Sequence, residues 1–557
     1  MSATLGNIGE LQTFLKYSSA MQKVDPDHII ALVTEVIPKH SCLVFCPTKK
    51  NCENVAVMIC KYLRRDFLQH RQEDKEALLR QLKECGNGQL CPLLRRTVPL
   101  GVAYHHSGLT GDERKLLEDA YSAGVLCLIA CTSTLAAGIN LPARRVIVRS
   151  PLMARDAVKT SQYKQMAGRA GRAGLDSEGE SILILQEAQR DQVRPRLPTF
   201  LNVFSDLVQN WLVPNEFEIQ MSLHVDIKVS VVDVRLARQV ASRAEDLEDF
   251  VRGTLLFVQR ERAGVCLEDV LRESVDLLKI KGLLHVQGHA LQVTHLGRAT
   301  FKGTSSSADA HSEILYQDLQ QGLEGLLLSS FLHLIFLVTP YDLDSGMTWR
   351  RFVWQMSLLS SSELKMCAMV GVPESLVARK AAGQSVNKVV ANMWVVKRVY
   401  LSLVLMSLLK DGDVWGVAQK FQLTRGFIQS LLNSAAAFCS CVLHFTQELD
   451  TLWPYCSLLE TLTRRLSYCV KAELIPLMEV AGVMEWAPAN QLHAAGYTTL
   501  SHLANADATL LVRTVERLSR KQATLIVASA KMLLIEKAAA LQQEVDHLLA
   551  APPDLPD

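Results

Sequence analysis

Residues 162–174 contain two arginines separated by small residues, a combination that suits a phosphate-binding site. Arg169 and Arg172 stand three positions apart, so on one helical turn their guanidinium groups would point the same way. The glycines that flank them would let a phosphate or another domain approach the backbone closely. A guanidinium is always charged and binds phosphate oxygens through several donors, which suits phosphoryl transfer. A basic, glycine-rich helix end on a solvated face explains these residues equally well.

A second candidate site lies at Thr132 and Thr134, which follow an apolar, strand-like run and precede a helical pattern. Threonine hydroxyls and the amides at a helix start can hold a backbone phosphate of a nucleic acid. The alternative is that a threonine at this position only caps the helix.

These candidates need elements that position them, and residues 27–190 alternate between short apolar runs and helical patterns. This alternation predicts a parallel α/β sheet whose functional loops lie beyond the carboxyl ends of the strands. Asp27 is the predicted N-cap of a helix over His28–Ile37. The predicted strands are residues 41–46, 102–104, 125–130 and 145–149.

Composition narrows the possible classes of protein. A chain of 557 residues predicts about three to five domains. The net charge is only +2, so a nucleic-acid surface would have to be a local patch. Fourteen cysteines without a C-x-x-C pair argue against structural zinc and favour a reducing compartment. The pairs Cys42/Cys46 and Cys127/Cys131 lie in apolar runs and are expected to be buried thiols.

A membrane partner is not expected, because no signal peptide is visible and no run looks long and apolar enough to span a bilayer. The nearest candidate, Leu326 to Thr339, is interrupted by polar residues and predicts a buried core helix.

Five stretches resemble the conserved motifs of superfamily-two helicases, in the order in which that family has them. They are Ser2–Thr4 for motif three, Leu43–Lys50 for motif four, Val102–Leu109 for motif four-a, Cys131–Pro142 for motif five and Gln162–Gly174 for motif six. The chain is most similar to the POLQ-like DNA helicases and their archaeal repair-helicase relatives, over nearly its whole length.

The resemblance implies a role for each candidate residue. Arg169 and Arg172 would reach the γ-phosphate of ATP bound with Mg²⁺, and Gln165 would position the nucleotide. Gly138 and Asn140 would lie at the ATP cleft. The residues that would face the DNA strand are Thr48, Lys49, His106, Thr132 and Thr134. A solvated loop explains Lys49 almost as well.

Residues 425–446 resemble the ratchet helix that touches the translocated strand in this family. The side chains expected to be exposed on it are those of Arg425, Gln429, Asn433 and Phe438. The alternative for Phe438 is an ordinary core position, since apolar residues recur around it at helical spacing. In the same way, residues 144–161 are where the family carries a hairpin that splits the duplex.

The predicted fold is a RecA-like α/β lobe with a parallel sheet, followed by a winged helix, an all-α ratchet domain and a helix-hairpin-helix domain. The predicted ranges are 1–20 for a remnant of a first RecA-like lobe, 21–194 for the second lobe, 195–303 for the winged helix, 304–467 for the ratchet domain, 468–547 for the helix-hairpin-helix domain and 548–557 for a disordered tail. The helix-hairpin-helix lacks the second glycine that is usual for phosphate binding by this motif.

The resemblance implies an ATP-dependent helicase that moves three-prime to five-prime on single-stranded and forked DNA, works in repair together with repair proteins, and resides in the nucleus. The sequence contains neither G-x-x-x-x-G-K-[ST] nor a D-E-x-H box, so a truncated chain that is inactive alone is expected. One alternative is a non-catalytic DNA- or partner-binding protein. Another is an RNA helicase of the same superfamily, although the arch that such enzymes insert has no counterpart in residues 197–303.

Overall fold

The computed structural model divides into two compact units, Met1–Ile219 with Thr424–Gln429, and Gln220–Leu423 with Ser430–Asp557. Each unit is described by itself. The residues that the structure describes are 25, 27–86, 88–138, 141–153, 156–171, 179–185, 246, 249, 252–253, 267–287, 290–303, 308–327, 329–341, 343, 346–384, 392–468, 477, 479–480, 492–493, 495–515 and 518–549. The predicted remnant at 1–20 and the tail at 548–557 therefore lie almost wholly outside the described residues.

The first unit is built on a five-stranded parallel sheet, which confirms the predicted α/β class. The strands in the described part of this unit are β1 (Cys42–Phe45), β2 (Val102–His105), β3 (Leu128–Cys131), β4 (Arg145–Val148), β5 (Leu152–Met153), β6 (Asp156–Ala157) and β7 (Glu180–Leu183). The order in the large sheet is β2-β3-β1-β4-β7. Every residue of β1 to β4 is buried, as expected for strands covered on both faces.

Strands β5 and β6 form a separate antiparallel pair, with Leu152 opposite Ala157. A hairpin was expected between residues 144 and 161 by resemblance, and this pair lies there. Its role in splitting a duplex stays a prediction.

Helices connect the strands of the first unit. They are α1 (Ile29–Thr34), α2 (Lys49–Tyr62), α3 (Asp66–Gln69), α4 (Gln72–Cys85), α5 (Pro92–Thr97), α6 (Gly111–Ser122), α7 (Thr134–Gly138) and α8 (Thr160–Ala167). Helix α6 begins with a capping box, in which the Thr110 hydroxyl accepts from the Glu113 amide and the Glu113 carboxylate accepts from the Thr110 amide.

The predicted N-cap of the first helix was wrong. Asp25, not Asp27, accepts hydrogen bonds from the amides of Ile29 and Ile30, each at 2.9 Å. His28 adopts the left-handed conformation, which turns the chain so that Asp25 reaches the helix start. The carboxylate of Asp27 instead pairs with Arg149 at 2.5 Å.

The second unit is mostly helical, and the predicted all-α character is confirmed for the described residues between 313 and 466. Its described elements are α9 (Leu267–Ile280), β8 (Leu284–Gln287), β9 (Ala290–Val293), α10 (His295–Gly303), α11 (Ala308–Glu324), α12 (Leu332–Leu337), α13 (Trp349–Ser357), α14 (Ser361–Met369), α15 (Glu374–Ala381), α16 (Met393–Asp411), α17 (Val414–Phe421), α18 (Arg425–Gln447), α19 (Pro454–Tyr468), α20 (Leu500–Ala504), α21 (Ala508–Thr514) and α22 (Arg520–Leu549). The first residues of α18, to Gln429, belong to the first unit. The core helix predicted at Leu326 to Thr339 is seen as the shorter α12, in which every residue is buried, so its predicted start was too early.

Two parts of the second unit lie within the ranges predicted for the winged helix and the helix-hairpin-helix domain. Strands β8 and β9 pair antiparallel, from Leu284 opposite Val293 to Gln287 opposite Ala290, between helices α9 and α10. Near the end of the chain, α20, α21 and α22 pack around a small core that includes Leu503 and Ile526. The winged helix and the helix-hairpin-helix stay predictions, because residues 195–245 and 481–491 lie outside the described residues.

One described helix, α18, is long and apolar enough to cross a membrane by length and composition alone. The expectation that no run meets this test was therefore wrong. A core helix of a water-soluble protein passes the same test, and α18 buries side chains such as Ile428, Leu431 and Phe445. The helix is accordingly weak evidence for a membrane.

Candidate functional site

The carboxyl ends of three neighbouring strands bring candidate residues to one edge of the sheet. Phe45 at the end of β1 and His105 at the end of β2 both stand opposite Cys131 at the end of β3. The segments that begin at Cys46, His106 and Thr132 therefore leave the sheet side by side. This edge is where ligands bind in open α/β sheets.

Thr48 and Lys49 stand at this edge, at the start of α2. Thr48 is exposed and caps the helix, its hydroxyl accepting from the Asn51 amide at 3.2 Å. Lys49 is the first residue of the helix and is also exposed. A helix start offers unsatisfied N–H groups and positive potential, so an exposed lysine here adds to an existing preference for anions.

Lys50, one position further, is paired within the helix, since its ammonium lies 2.7 Å from the carboxylate of Glu53. The two neighbouring lysines therefore differ, and Lys50 serves as a matched comparison for Lys49.

Thr132 and Thr134 lie where the sequence predicts them, after β3 and at the start of α7. Their hydroxyl oxygens are 2.9 Å apart, and the Thr134 side chain is exposed. Two adjacent hydroxyls next to a helix start can hold one phosphate oxygen. The sequence alone does not reveal that the two hydroxyls touch.

His106 lies beneath this edge and not on it. Its side chain is only 4% exposed, and its ring stacks on that of Tyr104 with the centroids 5.1 Å apart. Nδ1 accepts a hydrogen bond from the Gly108 amide at 3.0 Å, and Nε2 lies 3.4 Å from a carboxylate oxygen of Glu53. Burial lowers the pKa of His106, and this effect outweighs that of Glu53, which raises it. The lowered pKa favours a neutral imidazole. The sequence places this residue at the correct strand end but does not reveal its burial.

Arg169 lies outside the helix, whereas the sequence suggested a helical turn that it would share with Arg172. Helix α8 ends at Ala167, and Arg169 follows the capping Gly168. Its guanidinium donates to the carbonyl of Ala136 in α7, with Nη2 2.5 Å from the oxygen. The side chain therefore connects the end of α8 to the short helix that begins at Thr134. Arg172 lies outside the described residues.

Backbone contacts fix the segment around Arg169. The Ala143 amide donates to the Arg169 carbonyl at 2.8 Å, and the Gly171 amide donates to the Ala143 carbonyl at 2.7 Å. Gly171 has φ +91°, and a Cβ at Gly179 would lie 2.5 Å from the Ala170 carbonyl. Glycines thus let the chain pass closely here, and the backbone of Arg169 pairs with Ala143 in place of a further helical turn.

The other residues predicted to bind the nucleotide are near Arg169 or α7 in the sequence. Gln165 is exposed on α8, and Gly138 is the last residue of α7. Asn140 lies outside the described residues. Arg169, with its fixed charge beside a glycine-rich turn, fits a phosphate on this side of a nucleotide. The fit covers one side only, because the sequence holds no phosphate-loop lysine.

Arg425 and Gln429 are half-buried anchors within the first unit, where exposed side chains had been expected. The Arg425 guanidinium lies 2.7 Å from the carboxylate of Glu113, which is itself buried. The Gln429 side-chain oxygen accepts from the Gly111 amide at 2.6 Å. Gly426 has no room for a side chain, since a Cβ would lie 2.2 Å from the Ser107 carbonyl. Sequence reasoning missed Glu113 and Gly426, which lie more than 300 residues apart.

Phe438 is half-buried in the second unit, and Asn433 is exposed as expected. The Phe438 ring meets that of Tyr341 edge-on, with centroids 5.8 Å apart and planes at 81°. Tyr341 in turn stacks on Trp394. The Phe438 ring is therefore neither fully exposed nor fully buried in the core. Its contact with a DNA strand stays a prediction.

Neither the thiols nor a metal cluster adds a site in the described part of the chain. Cys42, Cys46, Cys127 and Cys131 are free and buried, which confirms the expectation of buried thiols. Burial raises the pKa of Cys42 to about 12, so its thiol stays protonated at neutral pH. No group of three or more histidines, cysteines or acids among the described residues is placed to hold a metal ion.

Comparison with known protein families gives two matches. Residues 26–174 match the helicase conserved C-terminal domain, and residues 310–466 match the DNA_pol_Q helicase like region helical domain. The first contains the sheet edge described above, and the second contains the helices around Phe438.

Whole proteins are similar over nearly the full chain. A protein named Helicase POLQ-like from Homo sapiens is 52% identical over 97% of this chain, and its namesake from Drosophila melanogaster is 35% identical over 96%. An ATP-dependent DNA helicase Hel308 from Methanocella arvoryzae is 27% identical over 90%. The chain spans 49%, 53% and 64% of the length of these three relatives, respectively.

Proposed function

Because the chain is a homologue of the POLQ-like helicases that carries a helicase C-terminal domain and their helical domain, we propose that it is the strand-binding and arginine-bearing part of an ATP-dependent DNA helicase. The motor would move three-prime to five-prime on single-stranded and forked DNA, act in repair with repair proteins, and reside in the nucleus. These finer properties extend what the relatives' names state.

One observation carries this proposal. The exposed side chains of Thr48, Lys49 and Thr134 stand at the carboxyl ends of neighbouring parallel strands, beside two helix starts. Such an edge offers hydroxyl, ammonium and amide donors to successive phosphates without reading bases. A motor that moves along any sequence needs this kind of contact.

ATP and Mg²⁺ are the proposed cofactors, and this chain would supply one wall of their site. Arg169 is held beside the glycine-rich turn and would face the terminal phosphate, with Arg172 as its second cation. Gln165, Gly138 and Asn140 would line the same side. ATP hydrolysis supplies the energy for strand movement, whereas these residues position and neutralise phosphate charge.

Binding to single-stranded DNA is expected to weaken as salt rises. Each phosphate neutralised by the protein releases counterions, with a slope of about −0.7 in log affinity against log salt concentration. Lys49→Ala should therefore lower the affinity for an unstructured oligonucleotide and flatten this slope by roughly that amount, as one lost phosphate contact requires. Fluorescence anisotropy over a salt series measures both.

Lys50→Ala is the matched control, because the Lys50 ammonium is paired with Glu53. It should leave the slope unchanged. A wild-type affinity that does not depend on salt would rule out a phosphate track at this edge.

Phe438→Ala tests the contact expected from the ratchet helix. If the ring touches a base, the variant should bind single-stranded DNA about tenfold more weakly, since one base stacked on an aromatic ring contributes roughly 1–3 kcal/mol. The helical domain should keep its unfolding midpoint within a few degrees, because the ring is only half-buried and meets Tyr341 edge-on. Unchanged DNA affinity together with a large loss of stability would instead identify Phe438 as a core residue.

A non-catalytic DNA- or partner-binding role is the second candidate. An RNA helicase is the third. Competition between DNA and RNA oligonucleotides of the same sequence distinguishes the two motors, because a DNA helicase should bind the DNA more tightly and an RNA helicase the RNA.

A further inference from the structure

A groove of about 620 Å³ lies in the first unit at the amino-terminal end of β1, away from Thr48 and Lys49. It is lined by residues of α1, of the turn that precedes β1, and of the segment that joins α2 to α3. Helix α2 begins at Lys49 and ends at Tyr62, which lines the groove. A helix of 14 residues is about 21 Å long. A ligand in this groove would therefore leave the edge that carries Thr48 and Lys49 free.

The floor of the groove is apolar, and its rim is open to solvent. Ile30 and Ile37 on the floor are each 4% exposed. The exposed members of the lining are Thr34, Glu35, Pro38, Tyr62, Arg64 and Asp66. Small-molecule sites usually enclose most of their ligand. An open groove over a buried apolar floor instead suits a polypeptide segment that inserts one large side chain.

The unpaired charges of the rim are mostly positive. Glu35 is already neutralised, because the Arg145 guanidinium lies 2.7 Å from its carboxylate. Arg64 and the next residue, Arg65, are exposed, and neither side chain forms an ion pair with a described residue. Asp66 is the only other acid in the lining. The two arginines outweigh this single carboxylate, so the rim is complementary to an acidic partner.

Apolar floor and basic rim would contribute differently to binding. A large apolar side chain of the partner would cover Ile30 and Ile37, and it would supply most of the affinity because burial of apolar surface is strongly favourable. An exposed ion pair such as one with Arg64 contributes much less. Its charge would mainly select acidic segments over basic ones.

We propose that this groove binds a short acidic segment of a partner protein, with one large apolar side chain on Ile30 and Ile37 and a carboxylate on Arg64. The inference goes beyond the proposed function, since the groove and the edge that carries Thr48 lie at opposite ends of α2. The partner segment and single-stranded DNA would therefore bind at the same time.

Fluorescence anisotropy with labelled synthetic peptides and the full chain tests the proposal. Each peptide carries one phenylalanine, leucine or tryptophan among glutamates and serines. Matched peptides replace either the apolar residue by alanine or the glutamates by lysines. At least one acidic peptide should bind, and its alanine counterpart should bind about tenfold more weakly or worse, since one large apolar side chain is then no longer buried. The lysine counterpart should also bind more weakly.

Two variants of the chain test the two parts of the groove. Thr34→Trp fills the groove from an exposed helix position, so it should abolish peptide binding while the circular dichroism spectrum stays unchanged. Arg64→Glu should lower the affinity for the acidic peptide about fivefold and raise that for the lysine peptide. Arg80→Glu is the matched control, because Arg80 is exposed in the same unit but does not line the groove. It should leave both affinities unchanged.

The outcomes distinguish the possible occupants. The proposal is overturned if no peptide binds more tightly than its alanine counterpart, or if neither Thr34→Trp nor Arg64→Glu changes peptide binding. A dimer of the wild type that Thr34→Trp dissociates, measured by light scattering, would assign the groove to a second copy of the chain. Weaker binding of single-stranded DNA by Arg64→Glu would assign the rim to nucleic acid. A wild type that binds the acidic peptide but no DNA would refute the proposed function and support this inference.

Discussion

A chain of these 557 residues is expected to release no phosphate from ATP above background, with or without single-stranded DNA. Hydrolysis in this class needs a phosphate-loop lysine, an acid that holds magnesium and the arginines, on opposite sides of one cleft. The sequence supplies only the arginines. A single, partly exposed guanidinium such as that of Arg169 stabilises a phosphate weakly, because solvent screens its charge. Tight nucleotide binding should fail for the same reason.

The assay follows DNA-stimulated phosphate release by the purified chain, alone and with the first lobe of a full-length relative added. Turnover that appears only with the added lobe, and that falls about a thousandfold or more in Arg169→Ala, is the expected result. Arg169→Lys should restore little of it, since an ammonium cannot replace the planar fork. If the chain alone hydrolyses ATP and Arg169→Ala abolishes this activity, the chain must contain a nucleotide site that its sequence motifs did not reveal.

The sheet was predictable because strands that are buried on both faces appear in the sequence as uninterrupted runs of apolar residues. Residues 41–46 predicted β1, and 145–149 predicted β4, each within one residue at either end. Since the strands are parallel, their carboxyl ends had to share one edge, and Thr48 and Thr132 could be placed there before any coordinates. The alternation of apolar runs and helical patterns was therefore enough to predict which edge of the sheet carries the candidate site.

Side-chain geometry at that edge was less predictable, because it depends on distant partners. Arg425 was expected to be exposed from its helical position, but its carboxylate partner, Glu113, is 312 residues away in the sequence. Burial of His106 depends on Tyr104 and Glu53, which come from two other elements. Arg169 leaves its helix because the chain pairs with Ala143, a contact that local spacing does not encode.

Removing the guanidinium of Arg398 is expected to destabilise the helical domain more than any other single change considered above. Arg398 is 5% exposed, pairs with Asp318 at 2.5 Å and donates to the carbonyls of Leu337 and Thr339 at 3.0 and 2.9 Å. Arg398→Met fills similar volume but leaves a carboxylate and two carbonyls without this donor. Breaking one side of a buried ion pair costs about 3–5 kcal/mol. Since Asp318 is 24% exposed, water offsets part of that loss.

Urea unfolding of Arg398→Met, followed by circular dichroism, measures this loss. The double variant with Asp318→Asn should recover part of it, because the unpaired charge is then gone. Arg464→Met is the matched control, since Arg464 pairs with Glu460 at 2.7 Å on the surface, where both side chains are more than half exposed. That pair should contribute only about 0.3–0.5 kcal/mol. Equal losses from Arg398→Met and Arg464→Met would show that the buried network does not hold the helical domain together.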